Sequence, residues 1–134
     1  MPEADVDHIY DYPKGYIEEI LKSVKTIAMV GASGDKTKFS YGVLRVLNET
    51  GYEMLPVNPN SNIKEIRGLK VFHSLKEIDR PVDMVQVFRR KEELLSVAKE
   101  AIEINAKVLW GQIGVYDDEA ANIATAAGLK VVMN

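Results

Sequence analysis

Apolar residues along this chain fall into two patterns. Five short runs, KTIAMV (25–30), YEMLPV (52–57), DMVQVF (83–88), KVLW (107–110) and KVVM (130–133), are largely continuous and of strand length. Continuous rather than alternating apolar runs predict strands buried on both faces. Between them the spacing changes to three and four. Tyr16, Ile17, Ile20, Leu21 and Val24 predict a helix over 14–24. Val43, Leu44, Val46 and Leu47 predict another over 40–50, with Ser40 as its N-cap and Gly51 just past its end. The clearest helical pattern is 91–106, and a last one spans 117–127, acidic at its start and closed by Gly128. Residues 61–70 read as a loop or a single helical turn, and Val71-Phe72 as a short strand. Residues 74–80 read as one more helical turn, capped by Ser74 with Glu77 completing a capping box.

Strands alternating with helices predict an α/β fold: a Rossmann-like, doubly wound parallel sheet of five to six strands with helices on both faces. Numbered along the chain, the expected strand order is 3-2-1-4-5, with the sixth strand at the edge. Residues 1–13 show no period and read as an N-terminal arm ending at Pro13; residues 14–134 read as one domain.

Composition narrows the function classes. The formal net charge is −3, so no basic excess is present to drive nucleic-acid binding. There is no cysteine, which excludes disulfides, thiolate metal sites and a thiol nucleophile. No apolar stretch reaches the ~18–20 residues needed to span a bilayer, and the first twenty residues lack a signal-peptide pattern. A cytoplasmic protein is expected.

In a doubly wound sheet, ligands bind at the carboxyl ends of the strands, where the strand order reverses. The first strand exits there into Gly31-Ala32-Ser33-Gly34-Asp35-Lys36-Thr37-Lys38-Phe39-Ser40-Tyr41. Glycines allow a tight turn and close approach of a phosphate to main-chain N–H groups, and the following helix aims its positive end at the same point. Ser33, Lys36, Lys38 and Ser40 add donors and charge. The same glycines could serve only to turn the chain. The spacing is neither G-x-G-x-x-G nor the P-loop pattern. The second strand ends in Asn58-Pro59, where an NAD site would place a carboxylate for the ribose.

Read in order, GASGDKTKFSYGV, VNPN, I-x-G-x-K-V-F-x-S-L, D-M-V-x-V-F-R and W-x-Q-x-G-V make the chain similar to the CoA-binding-domain family. This family of small stand-alone proteins resembles the CoA-binding domain of the succinyl-CoA synthetase α subunit. The resemblance covers about residues 14–134. It implies coenzyme A as cofactor, with Gly31, Ala32, Ser33 and Lys38 cradling its phosphates and Ser40 and Tyr41 at the helix start. It places Asn58 and Pro59 along the adenosine, and Lys36 toward the 3′-phosphate. Val87, Phe88 and Arg89 would line the far side of the switch point. Trp110, Gln112 and Gly114 would bound the pantetheine end.

No catalytic residue emerges. His8 and His73 lie too far apart to make a metal site, and Ser33 lacks a base at plausible spacing. Asp83 opens its strand on the side away from the ligand edge, which suits a structural role. The expected function is binding of coenzyme A or an acyl-CoA, with no assignable reaction. The alternative is a small NAD(P)-dependent oxidoreductase or acyl-CoA enzyme acting with a partner. The first helix and the arm leave room for a protein partner or self-association.

Overall fold

The computed structural model describes residues 12–112 and 116–133. Its elements are α1 Tyr16–Ser23, β1 Thr26–Val30, α2 Phe39–Thr50, β2 Glu53–Val57, β3 Glu65–Ile66 and β4 Leu69–Lys70. There follow β5 Met84–Val87, α3 Leu94–Glu103, β6 Val108–Gly111, α4 Asp118–Ala126 and β7 Lys130–Val132. Five of the strands form one parallel sheet in the order β2-β1-β5-β6-β7. That is the doubly wound arrangement expected from the alternation of strands and helices.

Both faces of the sheet are covered, which is why its strands read as continuous apolar runs. Ala28 lies in register between Leu55 and Val85, and Val85 next to Leu109. These side chains join Val57, Val87 and Val131 in one core with Leu94, Ala98 and Ala101 of α3 and Ala120 and Ala124 of α4. The alanines let those two helices approach the sheet and each other closely. The alternate residues Ile27, Met29, Met54, Met84, Val108 and Val132 point the other way, under Ile20 of α1 and Leu44 of α2. Each fully buried large side chain contributes about 1.5–3 kcal/mol through removal from water.

Two polar devices fix the ends of this sheet. At the amino end, Asp83 Oδ2 accepts the N–H groups of Lys25 at 2.8 Å and Thr26 at 3.1 Å, tying the start of β1 to that of β5. At the β7 edge, the Tyr16 hydroxyl donates to the Val131 carbonyl (3.0 Å) and accepts the Val131 N–H (3.2 Å). Tyr12 does the same for Met133, at 3.0 and 2.6 Å. Alternate residues of a strand offer their polar groups to the same side, so the two stacked tyrosines satisfy an edge that would otherwise be open.

Several local expectations are corrected. Residues 61–70 hold a β3–β4 hairpin rather than a helical turn. Its central pair, Arg67 and Gly68, both have positive φ (55° and 79°), the twist that two-residue hairpin turns require. Val71-Phe72 makes a single parallel bridge, Phe72 to Val57, instead of a full strand. Helix α2 starts at Phe39 with Lys38 in the cap position, so Ser40 is not the N-cap but sits buried in the first turn. The turn after Ser74 is one 3-10 turn, Leu75–Glu77, without a side-chain cap; Glu77 instead accepts the N–H of His73. The 91–106 helix opens as a 3-10 turn, Lys91–Glu93, before α3. Asp117, by contrast, caps α4 through its side chain, accepting from Ala120 N–H at 3.0 Å. His8 and most of the expected arm lie outside the described residues. Among the described residues no helix is long and apolar enough to cross a membrane.

Candidate cofactor-binding site

The chain leaves β1 toward β2 on one side and later enters β5 on the other, so the switch point lies at the carboxyl ends of β1 and β5. Gly31 stands there with φ +91°, and a Cβ on it would come within 2.3 Å of the Phe88 carbonyl oxygen. The turn is therefore closed against the end of β5 by main-chain contact alone. Gly31 and Ala32 both donate their N–H groups to the Val57 carbonyl, at 3.0 and 3.3 Å. Asn58 completes the brace: its Nδ2 donates to the Ala32 carbonyl at 2.8 Å, while its Oδ1 accepts the Asn60 N–H.

This leaves Gly31 and Ala32 as the floor of the turn. The unspent donors come after them. Among the described residues, no acceptor takes the N–H groups of Ser33, Gly34, Phe39 or Ser40. The last two belong to the first turn of α2, whose positive end points at the same edge. The intervening loop is shaped by Asp35, which accepts the N–H and hydroxyl of Thr37 at 2.9 and 2.7 Å. Those bonds, the Thr37 hydroxyl first, hold the Asp35 carboxyl below the usual carboxylate range. Lys36 and Lys38 are exposed and form no ion pair among the described residues. Free N–H groups, a helix start and two unpaired ammonium groups make this edge suited to an anion of phosphate size.

The remaining sequence-predicted residues distribute unevenly. Phe88 is half-buried beside the turn, its ring 6.1 Å from that of Phe39. Tyr41 and Trp110 pack partly buried on the α1–α2 side of the sheet. Val87 does not line the site with its side chain: it is fully buried in the core under α3 and α4. Arg89 lies against Gly31, but its guanidinium is engaged by Glu93, with Nε 2.9 Å from Oε1. That bond holds the Glu93 carboxyl below its ordinary range. Pro59 is exposed at the end of β2, Gln112 is half-buried beyond β6, and Gly114 lies outside the described residues. His73 is tied through Nε2 to the Ile63 carbonyl, 3.1 Å away, just ahead of the hairpin.

Two residues at this edge escape a reading by motif. Phe39 is 73% exposed directly before Ser40, an unusual position for a phenylalanine. Gln86 is a buried polar side chain inside an otherwise apolar strand; the sequence DMVQVF displays it, but periodicity alone gives it no role. Surface hollows lined by Leu21, Val24 and Tyr52, and by Ile78, Pro81 and Asn105, open at the amino ends of the strands instead.

Comparison with known proteins identifies the chain's relatives. The CoA binding domain family matches residues 25–134. The uncharacterized protein YneT of Bacillus subtilis is 44% identical over 121 residues, covering 90% of this chain and 88% of that protein. The alpha subunit of the ADP-forming acetate–CoA ligase I of Pyrococcus furiosus is 34% identical over 106 residues, covering 72% of this chain. This match occupies only 23% of that subunit. A hypothetical protein from Pyrococcus horikoshii superposes over 100% of this chain and 89% of its own, with a TM-score of 0.85 and 33% identity.

Proposed function

The chain belongs to the CoA binding domain family, and from that premise we propose that it binds coenzyme A or an acyl-CoA at the turn between β1 and α2. The observation that carries the reading is the geometry after Gly31. A glycine with φ +91° is pressed against the Phe88 carbonyl, and the N–H groups of Ser33, Gly34, Phe39 and Ser40 remain unspent behind it. Coenzyme A carries a diphosphate and a 3′-phosphate, and this arrangement supplies N–H donors for one and the Lys36 and Lys38 ammonium groups for the others. At the end of β2, Asn58 is committed to bracing the turn, and the strand's exit, Val57-Asn58-Pro59-Asn60, contains no carboxylate. That supports coenzyme A over a nicotinamide dinucleotide, whose ribose needs such an acid.

The second reading is an acyl-CoA enzyme acting with a partner protein, in keeping with the subunit name of the ligase relative. Calorimetric titration with CoA, NAD(H), NADP(H) and ATP tests the assignment. Binding of CoA in the micromolar range is expected. Binding of a nicotinamide cofactor with no response to CoA would overturn the reading in favour of the oxidoreductase alternative.

A further inference from the structure

Among the described residues, the two large apolar side chains left exposed both belong to α2: Phe39 at 73% and Val46 at 50%. They stand seven residues apart, two turns along one side of the helix. Gly42 and Val43 fill the turn between them, and these four with Arg45 and Leu47 line an apolar hollow of about 390 Å³. The inner side of the helix is occupied by Leu44, which is fully buried against the sheet. Phe39, Gly42 and Val46 therefore form a stripe that the domain itself leaves uncovered.

Gly42 is the informative member of that stripe. Glycine inside a helix costs stability relative to alanine. The backbone at Gly42 is helical, and a Cβ there would meet nothing within 4 Å. Nothing within the domain requires a glycine at this position. A missing side chain does allow a second backbone to approach closely.

The stripe is symmetric about the point between Gly42 and Val43, with Phe39 three residues before it and Val46 three residues after. A second α2 running antiparallel through a two-fold axis at that point sets each Phe39 opposite the other copy's Val46. It also sets each Gly42 opposite the other copy's Val43, which is the self-complementarity an isologous contact needs. The charges obey the same symmetry. Glu49 lies in the last turn of α2 and the exposed Lys36 and Lys38 precede its first turn, so antiparallel pairing brings Glu49 near the lysines of the other copy. The two helix dipoles then oppose one another as well. A helix of 12 residues is about 18 Å long, so the contact is smaller than the ~800 Å² per partner of a standard interface. The resulting dimer is weak and concentration-dependent.

We propose that α2 is a self-association surface, through which two copies of this chain pair antiparallel across a two-fold axis at Gly42 and Val43. The proposal is independent of the cofactor reading.

Sedimentation of the whole chain over a range up to sub-millimolar concentrations tests it. The mass should rise from the 15.0 kDa of one chain toward twice that value. Val46→Lys should remain monomeric throughout with an unchanged Tm, because the side chain it replaces is exposed. The chain has no cysteine, so a single introduced thiol can form only a disulfide between copies. Under mild oxidation Gly42→Cys, at the axis, should cross-link rapidly. Thr50→Cys, on the same stripe but about 22 Å from its counterpart along the helix axes, should not. A wild type that stays monomeric and a Gly42→Cys variant that does not cross-link would overturn the proposal and leave the stripe to a different protein. A mass increase that survives Val46→Lys would place self-association on another surface. Cross-linking of Thr50→Cys as fast as that of Gly42→Cys would exclude the antiparallel pairing.

Discussion

Substituting Gly31 separates two costs that usually arrive together. Gly31→Ala forces an L-residue to φ +91° and drives its Cβ to 2.3 Å from the Phe88 carbonyl oxygen, a contact with main chain that cannot rotate away. Gly51 offers the control. It ends α2 at φ +114° with nothing within 4 Å of the position a Cβ would take, so Gly51→Ala carries the backbone strain alone. Strain of this kind costs about 1–3 kcal/mol, and overpacking adds roughly 1–3 kcal/mol. Gly31→Ala should therefore lie about 1–3 kcal/mol below Gly51→Ala in unfolding free energy. Against a total of about 5–15 kcal/mol for a domain, Gly51→Ala stays folded, while Gly31→Ala, at about 2–6 kcal/mol in all, removes a large share of the margin. Urea denaturation followed by circular dichroism reads the difference directly. The β1–β5 edge must part to admit the methyl, so CoA affinity should fall for Gly31→Ala and not for Gly51→Ala. Equal stability of the two variants, or equal CoA affinity, would refute the close-approach argument and remove the turn from the site.

Lys38→Ala should weaken CoA binding about tenfold through loss of a charge-assisted phosphate contact, while leaving the melting temperature unchanged; titration and melting together check both halves. Asp83→Ala removes the acceptor for the Lys25 and Thr26 N–H groups and should cost about 1–3 kcal/mol in urea unfolding, with no direct effect on ligand affinity. Glu53 is held below the ordinary carboxylate range by the Thr26 hydroxyl and then by Arg80, and Glu93 by Arg89. Depressed folded-state values mean that these groups stabilise the fold above their unfolded-state pKa, and that this contribution is lost as pH falls through the folded values. The urea midpoint should thus drop below about pH 4.5, the unfolded glutamate range, and the drop should shrink in Glu93→Gln.

The sheet was legible because burial on both faces writes itself as largely apolar runs of strand length, such as IAMV in β1. The small hairpin was not. Two-residue strands carry no period, and Arg67-Gly68 is not one of the Asn-Gly or Asp-Gly pairs that announce such a turn. The cap of α2 was misplaced by two residues because serine is a good cap, whereas the loop here is organised by the Asp35–Thr37 bonds and Lys38 takes the cap position. At the site, position along the chain put the Gly31 turn beside Phe88 and Arg89, as their contacts show, but it did not reveal how their groups are spent. That the Gly31 and Ala32 amides go to Val57, and the Arg89 guanidinium to Glu93, depends on contacts that form only once the chain is folded.

The tyrosines on the β7 edge also bear on the order of folding. Tyr16 bonds to a residue 115 positions away, and Tyr12 to one 121 positions away. Synthesis at about 5–20 residues per second puts roughly 6–25 s between the emergence of α1 and that of its hydrogen-bonding strand. During that interval the helix that covers β1 has no edge to fasten, and contacts of such sequence separation slow folding generally. Docking of α1 is therefore a closing event, and amide exchange in α1 and β7 should rise and fall together as a single unit.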